Sequence, residues 1–414
     1  MSKKILLLAV SVCLPNTLFA SDLEVKVGGS IDTQYGIIDQ KKDFRVQKPG
    51  DKDSKKLSQH GLVNNNSITV EVNKKGKDSL EYGGYIKLNA NTSKTSSGKD
   101  QIADKTYFYM QGNLGRMEVG ATKSSNENLR ITGYSVARAT GGFDGSWFDW
   151  IRYGAIDPQD NEVGKDLKPL FLAGTSLPGD LHKSKANRLN YYTPKLNGFT
   201  FGVSYVPDMN VQGTVNKLGD LHNRIGGGYK DVIQPGVRYE YEMKDVKFTA
   251  SVISEFGKSK DHVFSDEENP MKRKKLSSYA IGSGIEYKGF AITGEYGDWG
   301  KSGTPKTQEA GCKYGASYWT LGSAYSEDNF GISVNYMESK KAGGTVGKDD
   351  KSLLAYVNEK HYNRFNAFIV GADYKVAEGL MPYIEFTRFK YDRNKNPGKG
   401  NKGSLILAGT KLKF

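Results

Sequence analysis

The stretch Leu23 to Tyr35, LEVKVGGSIDTQY, repeats with a period of two. Val25, Val27, Gly29, Ile31, Thr33 and Tyr35 make one face apolar or neutral, while Lys26, Gly28, Ser30, Asp32 and Gln34 make the other small or polar. Successive side chains of a β-strand point to opposite faces, so this alternation puts one face against an apolar phase and the other against water. The pattern returns in Ile68, Val70 and Val72 against Thr69, Glu71 and Asn73. It returns again in Val246, Phe248, Ala250 and Val252 against Lys247, Thr249 and Ser251. Neither series suits a helix.

The connections alternate between short and long. Short turns fall at Lys75 to Lys77, Asn113 to Gly115, Lys195 to Asn197, Lys244 to Asp245, Lys288 to Gly289, Glu327 to Asn329 and Glu378 to Gly379. Polar loops lie around Lys41 to Gln59, Asn91 to Gln101, Ser124 to Lys185, Asp208 to Lys230, Gly257 to Lys275, Lys301 to Lys313, Glu338 to Arg364 and Asn394 to Lys402. Seven turns and eight loops join sixteen strands. Transmembrane barrels have this asymmetry, with short turns on one side and long loops on the other. A closed sheet pairs every backbone group and leaves no edge, and sixteen strands enclose water rather than a packed core. The expected fold is therefore all-β, a 16-stranded antiparallel transmembrane β-barrel over residues 21–414. No Pro-rich linker or composition break divides it.

Residues 1–20 read as a secretory signal peptide. Lys3 and Lys4 precede an apolar run from Ile5 to Leu14 and a small-residue exit at Ala20. The run is well short of the roughly twenty residues that a helix needs to cross hydrocarbon. A lipoprotein signal at Cys13 is disfavoured, because Val12 stands where a small residue is wanted. Removal of the leader would leave Cys312 as the sole cysteine and rule out an internal disulfide. The formal charge of +13 would fall by two, and the chain would stay basic. Basicity alone also fits nucleic-acid binding, but export argues against that partner. Negative mean hydropathy, with no apolar stretch of helical length after the leader, excludes a helical membrane protein. The 49 Gly, 25 Tyr and 18 Phe match a chain that hides its hydrophobicity in every second residue.

Three segments carry a resemblance to a known family: Asp104 to Gly120, DKTYFYMQGNLGRMEVG; Asn187 to Pro207, NRLNYYTPKLNGFTFGVSYVP; and the last strand, ending in Phe414. In their order and spacing they resemble the general diffusion porins of Gram-negative bacteria, over essentially the whole mature chain. The resemblance implies an outer-membrane location, a homotrimer of 16-stranded barrels, and a water-filled channel for small hydrophilic solutes and ions. It implies contact with outer-membrane lipid and lipopolysaccharide, and a C-terminal Phe414 read by the barrel-assembly machinery. It also implies a third loop folded inward to constrict the pore. Here that loop, about 124–185, is the longest connection, and its centre, GGFDGSWFDWIRYG from Gly141 to Gly154, is rich in Phe and Trp. The loop is longer than the usual constriction loop and lacks the family's short acidic motif in standard form.

In such a pore, acidic groups on one side and basic groups on the other create a transverse field that screens charged solutes. The acidic candidates, from the loop, are Asp144, Asp149 and Asp157. The basic candidates are Lys26, Lys87, Arg116 and Arg188, whose parity along their strands turns them to the polar face. Net basicity suggests a preference for anions. Tyr191, Tyr205, Tyr239, Tyr241, Phe386 and Phe414 are expected in the interfacial girdles. Tyr85 and Tyr192 have the opposite parity.

Enzyme chemistry finds little support. The five histidines fall in proposed loops without metal-ligand spacing, and there is no GxSxG elbow. Gly300, Lys301 and Ser302 lack the glycine that a phosphate-binding loop needs five residues before Gly300. No cofactor is expected. An adhesive surface barrel is the alternative reading.

Overall fold

The computed structural model describes residues 23–46, 55–76, 79–91, 103–138, 147–151, 185–213, 228–260, 274–302, 315–342, 362–392 and 400–414. Its first eight strands are β1 (Leu23–Gln40), β2 (His60–Lys75), β3 (Glu81–Asn89), β4 (Ala103–Gly112), β5 (Gly115–Ala121), β6 (Asn187–Tyr192), β7 (Phe199–Asp208) and β8 (Tyr229–Met243). The remaining eight are β9 (Val246–Ser259), β10 (Leu276–Tyr287), β11 (Phe290–Gly300), β12 (Ala316–Glu327), β13 (Phe330–Ala342), β14 (Tyr362–Tyr374), β15 (Leu380–Asp392) and β16 (Lys402–Lys413). Each pairs antiparallel with its neighbours in sequence, and β1 pairs with β16, so the sheet closes on itself.

Alternation sets the two faces. Ile281, Ile285, Ile292, Leu321, Val334, Ile384 and Ile406 are exposed on the outer face. Between them in sequence, Thr249, Ser251, Thr293, Thr320, Ser333 and Asn335 face inward. An apolar belt outside and a polar wall inside is the arrangement that a bilayer on one side and water on the other select. Tyr191, Tyr205, Tyr241, Phe386 and Phe414 are exposed with the belt, while Tyr239 is half-buried with its ring centroid 4.6 Å from that of Phe199.

The tight hairpins have a local cause. Lys288 and Gly289, the two central residues between β10 and β11, both have positive φ, 44° and 82°. That turn geometry matches the twist of the flanking strands. At the closing seam, the Gly29 N–H donates to the Phe414 carbonyl at 2.8 Å and the Phe414 N–H returns to the Gly29 carbonyl at 3.2 Å.

Some strands outrun the expected loop boundaries. β9 continues through Gly257 to Ser259, and β13 continues through Glu338 to Ala342. Ladder pairing persists there although the side chains turn polar and alternation no longer marks the strand. His60, expected in a loop, opens β2 and lies 6.0 Å, ring to ring, from Tyr35.

Candidate functional site: the inner wall and the third connection

Between β5 and β6 the connection is described at 122–138, at 147–151 and at its last two residues, 185–186, and the first two pieces lie against the wall. The first contains α1 (Ser125–Leu129), capped by the Ser124 hydroxyl accepting from the Glu127 N–H, and a 3-10 turn at Gly133–Val136. Its backbone is bonded step by step to inward-facing side chains. The Ser125 N–H donates to Ser204 Oγ on β7 at 2.7 Å, the Ile131 N–H to Ser251 Oγ on β9 at 3.2 Å, and the Gly133 N–H to Thr320 Oγ1 on β12 at 2.9 Å. Thr293 on β11 donates in turn to the Thr132 carbonyl at 2.8 Å. An irregular segment has backbone groups that no ladder satisfies, and this wall of short hydroxyl side chains supplies their partners.

Two arginines tie the same piece to acids in the wall. Arg130 places Nε 2.8 Å and Nη2 2.6 Å from the two oxygens of Glu295 on β11, and Nη2 also reaches the Tyr318 hydroxyl at 3.1 Å. Burial works against the charged guanidinium, but Glu295 outweighs it and holds the Arg130 pKa well above the ordinary value. Arg138 pairs with Asp373 near the end of β14 and donates to the Asn329 carbonyl in the β12–β13 turn at 3.1 Å. The segment therefore descends along the wall from β7 to the short-turn rim.

The second piece docks differently. Trp147, in α2 (Trp147–Trp150), and Ile151 are buried in an apolar patch formed by Ile38, Met337, Phe365, Ile369, Phe389 and Leu405. The Trp147 and Phe365 rings lie nearly parallel at 6.2 Å. A wet wall carries an apolar island only where something covers it.

The basic candidates all lie on the inner face, on four different strands. Lys26 is exposed and sits 3.3 Å from Glu24. Arg116 bonds Glu118 and Gln111, each at 2.8 Å, with its guanidinium 4.1 Å from the Tyr109 ring centre. Arg188 is buried and donates to Gln234 Oε1 at 3.1 Å. Lys87 is 3.6 Å from Asp104, which also pairs with Lys185 at the end of the third connection. Directly opposite Lys87 on β4 stands Lys105, within electrostatic reach of Lys123 as well. Burial, and then the neighbouring Lys87, pull Lys185 down to about 8, despite the carboxylate beside it. Tyr85 and Tyr107 stack on the same face with centroids 5.1 Å apart.

Of the acidic candidates, Asp144 and Asp157 lie outside the described residues, and Asp149 lies in α2 with its side chain outside the description. Sequence reasoning missed Arg130, Arg138, Glu295 and Asp373. One signal was available: Glu295 interrupts the otherwise neutral inner face of β11 (Ala291, Thr293, Gly297, Trp299), and a charge on a covered wall needs a partner.

A closed barrel of sixteen strands, apolar outside and polar inside, defines an outer-membrane channel protein. The chain belongs to the Gram-negative porins, whose family model matches residues 8–394. An uncharacterised protein of Rickettsia felis is 26% identical over 476 residues, covering 100% of both chains. Outer membrane porin F of Escherichia coli is 28% identical over 106 residues, which are 25% of this chain and 27% of that protein. Among solved structures, an anion-selective porin from Comamonas acidovorans superposes with a TM-score of 0.57 at 13% identity, covering 95% of this chain and 100% of that one. The trimer form of OmpT from Vibrio cholerae gives 0.53 at 12% identity, covering 95% and 100%. Family and fold place the protein in the outer membrane and point to a channel rather than an enzyme.

Proposed function

We propose that the protein is a passive-diffusion pore for small hydrophilic solutes and ions, preferring anions and working as a homotrimer. The observation that carries this reading is the attachment of residues 124–138 to the polar inner wall of the closed sheet, which supports a constriction on that side. Anion preference draws support from Lys87, which shares the Asp104 carboxylate with Lys185 and stands directly opposite Lys105. Asp144, Asp149 and Asp157 supply the acidic side of the constriction, and Lys26, Lys87, Arg116 and Arg188 the basic side. Trimer formation draws on the trimer form of the similar OmpT. Residues 1–20 serve as the cleaved leader, Phe414 as the assembly signal, and the apolar belt meets lipid and lipopolysaccharide.

Swelling of liposomes that hold the refolded protein tests the reading. Small sugars should enter at rates that fall steeply with size, and small anions should enter faster than cations of equal size. Rates equal to those of protein-free liposomes would contradict it.

A further inference from the structure

We propose that glycines on the inner face form a bed that seats the third connection and so sets the bore of the channel, with Gly282 on β10 and Gly322 on β12 as the decisive positions. The inference rests on the channel reading for its consequence, though not for its geometry.

Along the path of residues 126–138, the wall presents glycine where the segment comes closest. A Cβ on Gly282 would collide with the Ile131 carbonyl oxygen, and one on Gly322 with the Gly133 carbonyl oxygen. Both collisions are with backbone, which cannot rotate away as a side-chain tip can. Gly133 is as tightly held from the other side, since its own Cβ would stand 2.8 Å from the Leu321 carbonyl carbon and 2.9 Å from the Gly322 nitrogen. Elsewhere the contacts are with side chains of the segment. Gly202 faces Leu129 at 2.8 Å, Gly236 faces Asn126 at 2.7 Å and Gly331 faces Arg138 at 2.6 Å.

Each decisive glycine has a hydroxyl beside it that bonds the backbone it admits. Gly282 is directly opposite Ser251, which accepts from the Ile131 N–H. Gly322 is two residues from Thr320, which accepts from the Gly133 N–H, and directly opposite Thr293, which donates to the Thr132 carbonyl. One residue makes room and its neighbour makes the bond. The wall alone asks less of these positions, because its own close atoms are side-chain tips, Ser251 Oγ at 3.1 Å from the Gly282 Cβ position and Asn335 Oδ1 at 2.6 Å from that of Gly322. Neither Gly282 nor Gly322 adopts the left-handed backbone seen at turn glycines such as Gly289 (φ 82°), so the backbone at both accepts alanine. Gly84, on the outer face of β3, shows the contrast: nothing lies within 4 Å of its Cβ position.

The test compares the full-length protein with its Gly282→Ala, Gly322→Ala and Gly84→Ala variants in lipid, by trypsin cleavage at Arg130 and by unit conductance. The wild type and Gly84→Ala should resist cleavage at the buried Arg130 and share one conductance. Gly282→Ala and Gly322→Ala should fold, become cleavable there and conduct more per channel. Folded variants with Arg130 still protected would overturn the seating. Cleavage without a change of conductance, in a wild type that conducts, would overturn the link to bore. Failure of both variants to fold would also overturn the proposal, because it would show that the glycines serve the wall. A wild type that does not conduct would count against the channel reading alone, and Arg130 protection would still decide the seating.

Discussion

Arg130 and Glu295, far apart in sequence, meet as a two-pronged ion pair on the inner wall, with side chains only 3% and 1% exposed. In water such a pair contributes little, but here each partner has given up its hydration and depends on the other. The pair therefore stabilises the segment less by its own attraction than by the cost of separating it.

Replacing Arg130 with Ala should weaken docking of the segment by about 3–5 kcal/mol, because Glu295 is left buried and uncompensated. Adding Glu295→Leu should restore most of the loss. Open-channel current noise is the readout, high in the single variant and low in the double. Equal noise in wild type and Arg130→Ala would show that the pair holds nothing.

The apolar island predicts a second loosening at the other piece. Trp147→Ala removes a fully buried ring from the patch with Phe365 and Phe389, a change that typically costs about 3–5 kcal/mol. Trp150, partly buried against the same patch, should then become more accessible to acrylamide quenching. Unchanged quenching would mean that α2 is held by something else.

Selectivity should follow the lysines. Lys87→Gln and Lys105→Gln should each move the reversal potential toward cation preference. The shift should shrink as salt approaches 1 M, where the screening length is about 3 Å. Lys185 adds a pH dependence. Its ammonium is charged below about 8 and loses its proton above, so anion preference should decline between pH 7 and 9. Lys185→Met should remove that decline, and persistence of the decline in the variant would assign it to another group.

The two faces of the wall should respond oppositely to charge. Leu321→Arg, in the apolar belt, should destabilise the barrel by about 2–4 kcal/mol if it lies near the bilayer midplane. Asn65→Arg, inward-facing opposite Asp32, should cost little. Urea titration in lipid vesicles measures both, and equal losses would contradict the orientation of the sheet.

The barrel was legible in the sequence because two solvents act on alternate residues of one strand. That is a local signal, and it placed the strands, their order round the barrel and the inward parity of Lys26, Lys87, Arg116 and Arg188. Strand ends were less clear, since pairing in β9 and β13 continues where the side chains are already polar. The path of the third connection was not readable. It depends on meetings such as Arg130 with Glu295, Gly133 with Thr320 and Arg138 with Asp373, between residues whose separation has no period. Hydroxyls and glycines on the inner face look, in sequence, like any polar lining. Their pairing becomes meaningful only once the segment that lies on them is seen.

Planar-bilayer recording of the purified protein under a salt gradient tests the central claim, an open water-filled pore with a basic inner wall, most directly. The account predicts stepwise ohmic conductance, with steps grouped in threes for a trimer, and a reversal potential of the sign set by anion preference. A correctly folded protein that produced no steps would contradict the open pore, and a cation-selective reversal potential would contradict the role given to Lys87, Lys105 and Lys185.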